Sequence, residues 1–250
     1  DGVQRTAQAA VERPMSPAPG RSKPAAAAVP VAPVLPLRRG AGLALAADSE
    51  GNATRSAILA AARIEFSAKG LSGARVKNIA ERAGANKQLI YYYFGSKIDL
   101  YRAALEAVYA EIRELERGLH LGDLPPAEAM AALIAFSFDY LARHPDFIGM
   151  LNHENAQGAL HVRASTAIRA ANSPLIDLIA STLKRGAAAR VFRRGVDPVD
   201  LYVSFAGMSY FFFSNRLTLS SIFGRDLTAP AREAAYRRHV VALTLAGLRP

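Results

Sequence analysis

From residue 54 onward, apolar side chains recur at three- and four-residue spacing, which is the period of an α-helix with one buried face. In the first such run, over 54–68, the apolar face consists of Ile58, Ala62 and Phe66. Thr54 is the predicted N-cap and Lys69-Gly70 the predicted stop. Alternating, β-branched sequence of the kind that forms strands is rare. The pattern therefore predicts an all-α chain of about nine helices.

Two short helices are predicted next, over 76–83 and 87–94, with Gly84 ending the first. Their predicted inward positions are Val76, Ile79, Ala80, Ala83, Ile90 and Phe94. A fourth helix begins at the N-cap Ser96, has a carboxylate near its start at Asp99, and extends to about residue 119. Two short amphipathic helices joined by a glycine turn are typical of a helix-turn-helix.

Proline and glycine divide the remainder of the chain. One helix is predicted from the Pro125-Pro126 pair to His144, and one or two shorter helices over 146–170. Three more helix starts are predicted at capping residues, two of them directly followed by proline: Ser173-Pro174, Asp197-Pro198 and Thr228. Gly186 and Gly195 are predicted to bound the loop between the first two of these helices, and the last helix to end near residue 246.

The outer face of the third helix carries side chains of the types that contact DNA bases and phosphates. Lys87, Gln88 and Tyr91 fall on that face, while Leu89, Ile90 and Phe94 supply the apolar seam. Gln pairs with adenine, Lys donates to guanine, and a Tyr hydroxyl bonds phosphate. Lys97 stands at the start of the fourth helix, whose free amides also suit a phosphate. The alternative is that the tyrosines at 91–93 pack a small core, and Tyr93 is predicted to be partly buried.

Positive charge is concentrated in the same region. The net charge of the chain is +10, and residues 54–98 hold eight Lys or Arg against two Glu, a net +6. The segments before and after carry +2 each. This distribution favours phosphate binding over a uniformly basic, solvated surface, which is the alternative interpretation.

Composition predicts three parts. Residues 1–50 hold half of the 14 prolines and few large apolar side chains, so they are expected to form a disordered Ala/Pro-rich tail. The helix-turn-helix occupies 51–98, and a larger helical domain 99–250. There is no cysteine, which excludes disulfides and thiolate metal sites, and no apolar run reaches 18 residues. A cytoplasmic protein without a membrane span is expected.

The larger domain contains a helix that is apolar on two sides. One stripe consists of Leu201, Phe205, Met208 and Phe212, and a second of Val199, Val203, Ala206, Tyr210 and Phe213. One face can pack on its own domain and the other on a second subunit. Near the chain end Tyr236, Val240 and Leu243 form a similar stripe. The dimer interface is therefore predicted at Leu201, Phe205, Tyr236, Val240 and Leu243; an intramolecular core is the alternative.

An effector pocket needs apolar walls and a few polar groups. The candidates lie on adjacent segments: Phe136, Tyr140, Phe147, Met150, Asn152, His153, Met208 and Phe212, with Glu154 and Ser209 beside them. The alternative for each is plain core. The spacing of His153, Glu154 and His161 matches no helical metal site, and no catalytic constellation or cofactor motif is present, so no metal, cofactor or enzyme activity is predicted.

Residues 57–100 resemble the DNA-binding domain of the tetracycline-repressor (TetR) family of bacterial regulators. The matching features are Ile58-Leu59, Phe66, Lys69-Gly70, Ile79-Ala80, Ala83-Gly84 and the run from Tyr91 to Lys97. The resemblance implies a homodimer that binds a palindromic double-stranded operator and a small-molecule effector. It also implies that Lys87, Gln88 and Tyr91 contact bases or the adjoining backbone, and that Tyr92 and Lys97 hold phosphates.

The sequence departs from the family at the start of the second helix, where members often carry a capping Thr that touches phosphate. Here the stretch is Gly73-Ala74-Arg75-Val76. Arg75 can replace the phosphate contact but not the cap, which Ser72 could supply if the helix began earlier. Beyond the fourth helix the chain is only diffusely similar to regulators of catabolic operons.

The leading interpretation is a ligand-responsive repressor. The alternatives are an activator or a ligand-insensitive repressor of the same family and, from another class, a helical small-molecule carrier or enzyme. A carrier would need neither the basic cluster nor the tyrosine-rich helix.

Overall fold

A computed structural model describes residues 49–250, with side chains from residue 51. This part of the chain is all-helical and contains ten α-helices, a short 3-10 turn at Leu121–Asp123 and no strand. The helices are α1 Ser49–Gly73, α2 Val76–Ala83, α3 Lys87–Phe94, α4 Lys97–Arg117, α5 Pro126–Arg143, α6 Pro145–Ala156, α7 Leu160–Ala164, α8 Thr166–Ala188, α9 Pro198–Phe223 and α10 Pro230–Gly247. The all-α prediction is confirmed with one helix more than expected, and the predicted tail over 1–50 lies almost wholly outside the described residues.

Two predicted helix starts are confirmed by their side-chain caps. The Ser96 hydroxyl accepts the Asp99 backbone N–H at 3.1 Å and opens α4. The Asp197 carboxylate accepts the N–H groups of Val199 and Asp200 at 2.8 and 3.0 Å and opens α9. These bonds satisfy amides that have no partner inside the helix.

Three other predicted helix starts are wrong. Helix α1 begins at Ser49, so Thr54 lies within it, and α10 is preceded by Ala229, while the Thr228 hydroxyl bonds Asp226 instead. The pair Ser173-Pro174 lies inside α8, which Ser165 caps by accepting the Ile168 N–H at 3.2 Å. A proline is tolerated there at the cost of one backbone hydrogen bond.

Two glycines were predicted to end helices, and the structure bears out only the first. At Gly70 the backbone is non-helical, with φ 64° and ψ −179°, so the regular part of α1 stops where the sequence predicts and a short further stretch extends to Gly73. Gly186 is buried within α8, where a Cβ would stand 1.9 Å from the ring of Phe192. The loop therefore begins after α8, and Phe192 folds back onto that helix.

Helix α5 lies at the centre of the larger domain, because it packs against α8, α9 and α10. Its core-facing side chains are largely apolar and include Leu133, Ile134 and Phe138, which are at most 2% exposed. The helix-turn-helix joins this body through α1, which packs on α4 and α6. A Cβ at Gly149 of α6 would lie 2.6 Å from the backbone oxygen of Ser67, so α1 and α6 are in direct backbone contact.

Candidate nucleic-acid interface and effector region

Helix α3 is held by a side-chain cap and a narrow apolar seam. The Asn86 side chain accepts the Leu89 N–H at 2.9 Å, and Ile90 and Phe94 are buried. The Arg55 guanidinium of α1 lies 5.3 Å from the centre of the Phe94 ring, a cation–π contact. Sequence reasoning missed the Asn86 cap, although an Asn before a helix is a readable signal.

The outer face of α3 carries the predicted DNA contacts together. Lys87 and Gln88 are exposed, Tyr91 is 48% exposed and Tyr92 is 80% exposed. Tyr93 is half-buried and packs edge-on against Tyr92 at 5.2 Å, as the sequence predicted for that ring. An ammonium, an amide and two phenol side chains are thus exposed within two helical turns.

The start of α2 is capped by a residue that the sequence analysis did not identify. Glu65 of α1 is 4% exposed, and its Oε1 accepts the Arg75 backbone N–H at 3.1 Å and the Asn78 side chain at 2.9 Å. Neither Ser72 nor Arg75 supplies a side-chain cap. Burial would raise the pKa of Glu65, but bonds from Lys69, Arg75 and Asn78 outweigh burial and hold its pKa below the usual value. The Glu65 carboxylate therefore replaces the missing hydroxyl cap.

Arg75 and Lys97 flank the Gly73 turn. The Arg75 side chain is exposed at the N-cap of α2, where the helix amides favour an anion. Lys97 Nζ donates to the Ser72 carbonyl at 3.3 Å, which places its ammonium beside the same turn. The structure therefore brings these two predicted phosphate contacts to the same turn.

Three of the eight basic residues over 54–98 form ion pairs with carboxylates. Lys69 pairs with Glu65 and Lys77 with Glu81, while Arg63 bridges Glu111 of α4 and Asp146 of α6. The remaining five cations are Arg55, Arg75, Arg82, Lys87 and Lys97. Arg63 therefore stabilises the contact between the helix-turn-helix and the larger domain, although its charge was counted above among those that favour phosphate binding.

Helix α6 contacts two neighbouring helices through the consecutive polar residues Asn152 and His153. Asn152 is exposed and accepts hydrogen bonds from Tyr210 and Ser214 of α9. His153 lies against Gly70 of α1, where a Cβ would approach its Nδ1 to 2.9 Å. The structure thus separates these two predicted effector contacts, because His153 faces α1 and Asn152 faces α9.

Glu154 is fully buried and is held by four hydrogen bonds. Its carboxylate accepts from the Tyr101 hydroxyl, the His161 ring and the backbone N–H groups of His161 and Val162. Burial opposes the charge, but the hydrogen bonds from Val162 and His161 keep the pKa of Glu154 below its usual value. Among residues 51–250 no three His, Cys, Asp or Glu side chains converge as a metal site would require.

The aromatic effector candidates are packed against one another. Phe136, Tyr140, Phe147 and Met150 are at most 8% exposed. Tyr140 lies 5.8 Å from Phe147 and stacks on His144 at 4.1 Å, and its hydroxyl has no hydrogen-bond partner within the described chain. Burial raises the pKa of Tyr140. Phe212 instead stacks on Tyr236 of α10 at 4.4 Å, away from this group.

A groove of about 390 Å³ opens between the start of α9 and the end of α10. Its walls include Arg193, Asp197, Leu201, Met208, Leu243 and Leu248. Met208 was predicted in the effector pocket, and Leu201 and Leu243 in the dimer interface, so the structure brings together residues from two different predictions.

The five residues predicted for the dimer interface differ in burial, with Tyr236 half-buried and Leu243 50% exposed. Leu201, Phe205 and Val240 are 7%, 0% and 0% exposed, so the core of their own chain occupies them and leaves little surface for a partner. The outward apolar side chains of α9 are Val199, Val203, Phe211, Leu217, Ile222 and Phe223, with Leu243 on α10. Because α9 is apolar on both sides, the sequence showed that two faces exist but not which one faces inward.

No helix within residues 49–250 combines the length and apolarity that crossing a membrane requires.

Two protein-family models match the chain. The model described as "Bacterial regulatory proteins, tetR family" matches residues 58–104, which include α2 and α3. The model described as "Tetracyclin repressor-like, C-terminal domain" matches residues 126–243, from α5 into α10.

Related proteins extend the match over most of the chain. The HTH-type transcriptional repressor NicS of Pseudomonas putida is 36% identical over 200 residues, which cover 80% of this chain and 94% of NicS. The HTH-type transcriptional regulator RutR of Escherichia coli K12 is 46% identical over 57 residues, 23% of this chain and 27% of RutR.

Solved structures share the fold. The transcriptional regulator FadR from Bacillus subtilis, solved with stearoyl-CoA, has a TM-score of 0.61 at 19% identity, covering 78% of this chain and 99% of FadR. FadR from Bacillus halodurans has a TM-score of 0.62 at 21% identity, with 78% and 96% covered. The two family models and the identity with NicS show the family. The chain belongs to the TetR family of bacterial regulatory proteins and is a DNA-binding transcriptional regulator rather than an enzyme.

Proposed function

We propose that this regulator is a homodimeric, effector-responsive repressor that binds a palindromic operator in the cytoplasm. The observation that carries the proposal is the outer face of α3, where Lys87, Gln88 and Tyr91 are exposed on a helix fixed by Asn86 and the buried Ile90. Recognition of DNA bases needs exposed hydrogen-bond donors on a rigid helix, because each hydrogen bond to a base depends on where the side chain lies within the groove.

Repression is supported by the relative NicS, which is named a transcriptional repressor. Dimerisation is supported by the exposed apolar stripe of α9, since Val203, Phe211 and Leu217 are 60%, 56% and 72% exposed. Apolar side chains in one such patch are typical of a surface that is covered by another subunit. A two-fold dimer would place two α3 helices on half-sites about one DNA turn, 34–36 Å, apart.

Effector response is supported by the joint between the two parts of the chain. Arg63 ties α1 to α4 and α6, and Gly149 brings the α6 backbone against Ser67 of α1. A shift of α6 must therefore move α1 and, with it, α2 and α3. An effector that binds one arrangement of α6 better would change the spacing of the two α3 helices by shifting populations. The proposal is also supported by FadR from Bacillus subtilis, which has a similar fold and was solved in complex with stearoyl-CoA.

The test is a pull-down of sheared genomic DNA from the source organism on the purified protein, at about 0.1 M salt with competitor DNA, followed by sequencing. We expect one or a few palindromic sites with half-sites one turn apart. Placing such a site before a reporter gene should lower expression when the protein is present. Recovery of DNA without any enriched site would contradict the operator proposal, and raised reporter expression would replace repressor with activator.

A further inference from the structure

Gly207 lies on the outward side of α9, between two exposed apolar side chains. Val203, one turn before it, is 60% exposed, and Phe211, one turn after it, is 56% exposed. A Cβ at position 207 would meet nothing within 4 Å beyond its local helix backbone, so its own chain does not exclude a side chain there. Glycine destabilises a helix relative to alanine and is favoured where another group must approach the backbone closely. Position 207 therefore suits the close approach of a second helix.

The outward faces of α9 and α10 are large enough for a second subunit. No Asp, Glu, Lys or Arg occurs over 201–215, although a helix face that stays in water normally carries charged residues. Helices α9 and α10 have 26 and 18 residues, so at 1.5 Å per residue and about 10 Å in width their outward faces present on the order of 650 Å². A stable interface buries about 800 Å² per partner. A second copy of this chain is therefore of the right kind and size to cover the surface that α9 leaves exposed.

The groove between α9 and α10 lies on the same side of α9 as the Phe211 ring. Two of its walls, Ser204 and Met208, precede Phe211 by seven and three residues, which is the spacing of side chains on one helix face. A third wall is Leu243 of α10, which is 50% exposed. Gly207 thus has a projecting ring on its C-terminal side and an open groove that extends mainly on its N-terminal side. A surface that holds both halves of a contact fits a two-fold dimer, in which residue i meets j and j meets i.

We infer that the α9 helices of two subunits cross antiparallel at Gly207, and that Phe211 of each subunit fills the groove of the other. A two-fold axis through position 207 exchanges positions that are equally far from it, so Val203 lies opposite the partner's Phe211. The same axis keeps the ring and the groove on one side of the helix pair. The partner's Phe211 therefore arrives beside Ser204, at the mouth of the groove. The inference rests on the proposed homodimer and names its crossing point and the occupant of the groove.

The chain has no cysteine, so single cysteines introduced into the full chain test the crossing directly. Helices that pack with their axes about 8–10 Å apart, and whose Cα atoms lie about 2.3 Å from each axis, bring facing Cα atoms to roughly 3.5–5.5 Å. This range overlaps the separation of about 4.4–6.8 Å that a disulfide requires. Gly207→Cys should therefore form a disulfide-linked dimer in most of the protein under mild oxidation, as measured by non-reducing electrophoresis.

A second pair of cysteines tests the antiparallel direction. Val203→Cys and Phe211→Cys should link to each other when the two proteins are mixed and allowed to exchange subunits. Neither should link to its own copy, because each lies about 6 Å along the helix from the crossing and its copy lies about 12 Å away. Leu217→Cys, at a side chain that is 72% exposed but about 15 Å along α9 from the crossing, is the matched control and should stay unlinked.

Phe211→Ala tests the occupant of the groove. It should weaken dimerisation about hundredfold or more, because each dimer loses the buried ring twice, and light scattering over a dilution series measures this change. Leu160→Ala, at a side chain that is also 56% exposed but lies on α7, is the matched control and should leave dimerisation unchanged. A Phe211→Ala dimer as tight as the parent would show that the ring does not fill the groove.

The outcomes separate this inference from the proposed homodimer. A parent protein that is monomeric by light scattering would contradict the homodimer itself. A dimer that links through Leu217→Cys, or does not link through Gly207→Cys, would leave the homodimer standing, show that the crossing is wrong and leave the groove to another occupant such as a small ligand. The linked Gly207→Cys dimer should also retain the enriched genomic DNA as the parent does, and loss of that DNA would show that the disulfide captured a contact foreign to the active dimer.

Discussion

Helices α3 and α9 are both rich in aromatic side chains, yet they place them in opposite ways. In α3 the rings at Tyr91 and Tyr92 are exposed, and Phe94 alone is buried. In α9 the rings at Phe205, Phe212 and Phe213 are buried, whereas Phe211 on the other side is 56% exposed. A short helix that packs through one narrow apolar face leaves its other side chains exposed. A long helix that is apolar on all sides needs a second packing partner for the side that its own domain does not cover.

The largest effect expected from this comparison concerns α3. Replacing Tyr91 and Lys97 together by alanine should weaken operator binding roughly hundredfold or more, since each lost contact is worth about 1–3 kcal/mol and a dimer loses it twice. Both side chains have solvent-accessible surface, so the fold should be unchanged. The measurement is the affinity for the enriched genomic site at fixed salt. Lys184→Ala, which removes one exposed charge from α8, is the control and should bind normally.

The next effect concerns the outward face of α9. Val203→Glu places a charge on a side chain that is 60% exposed, so it should convert the dimer to a folded monomer. Phe205→Glu, two positions away, should instead unfold the chain, because Phe205 is 0% exposed and an unpaired carboxylate there has no compensation. Light scattering and circular dichroism distinguish these outcomes. A Val203→Glu dimer of normal stability would show that the exposed stripe is not the interface.

The same comparison explains how much the sequence could predict. The boundaries of α2 and α3 were predictable because Gly84, Ser96 and the inward Ile90 and Phe94 agree on one arrangement. The fold class followed from the helical period over most of the chain. The inward face of α9 was not predictable, since Leu201 and Val203 have nearly equal hydrophobicity and only the position of α5 decides between them.

Contacts between distant residues also escaped the sequence. Glu65 was read only as one of two acidic residues in a basic cluster, although it caps α2 from α1. The Arg63 bridge depends on how α1, α4 and α6 meet, which no local pattern encodes. The helix start predicted at Ser173-Pro174 was wrong for the opposite reason. The local start signal there is strong, but α8 begins earlier in the chain, at the Ser165 cap, and continues through it.

A smaller effect is expected at the joint that separates the two regions. Gly149→Ala would bring a Cβ to 2.6 Å from the Ser67 backbone oxygen and force α6 away from α1. Overpacking of this kind costs about 1–3 kcal/mol in the free energy of unfolding. Gly118→Ala is the matched control, because its φ of −63° suits alanine and its closest contact would be 3.4 Å. Chemical denaturation compares the two, and equal stabilities would show that α1 and α6 are not rigidly apposed.

The smallest effect tests how α3 keeps its exposed face. Asn86→Ala removes the acceptor for the Leu89 N–H and should cost about 1 kcal/mol, as expected for an N-cap. Asn86→Asp retains an acceptor and adds a charge that is favourable at a helix start, so its stability should match the parent. Operator affinity should fall with Asn86→Ala by no more than about tenfold, because Ile90 and Phe94 still hold the helix. Suppose instead that Asn86→Ala lost operator binding as completely as the Tyr91 and Lys97 double variant. The Asn86 cap, and not the buried Ile90 and Phe94, would then be what holds α3 in place, and the orientation of its exposed face would depend on that one hydrogen bond.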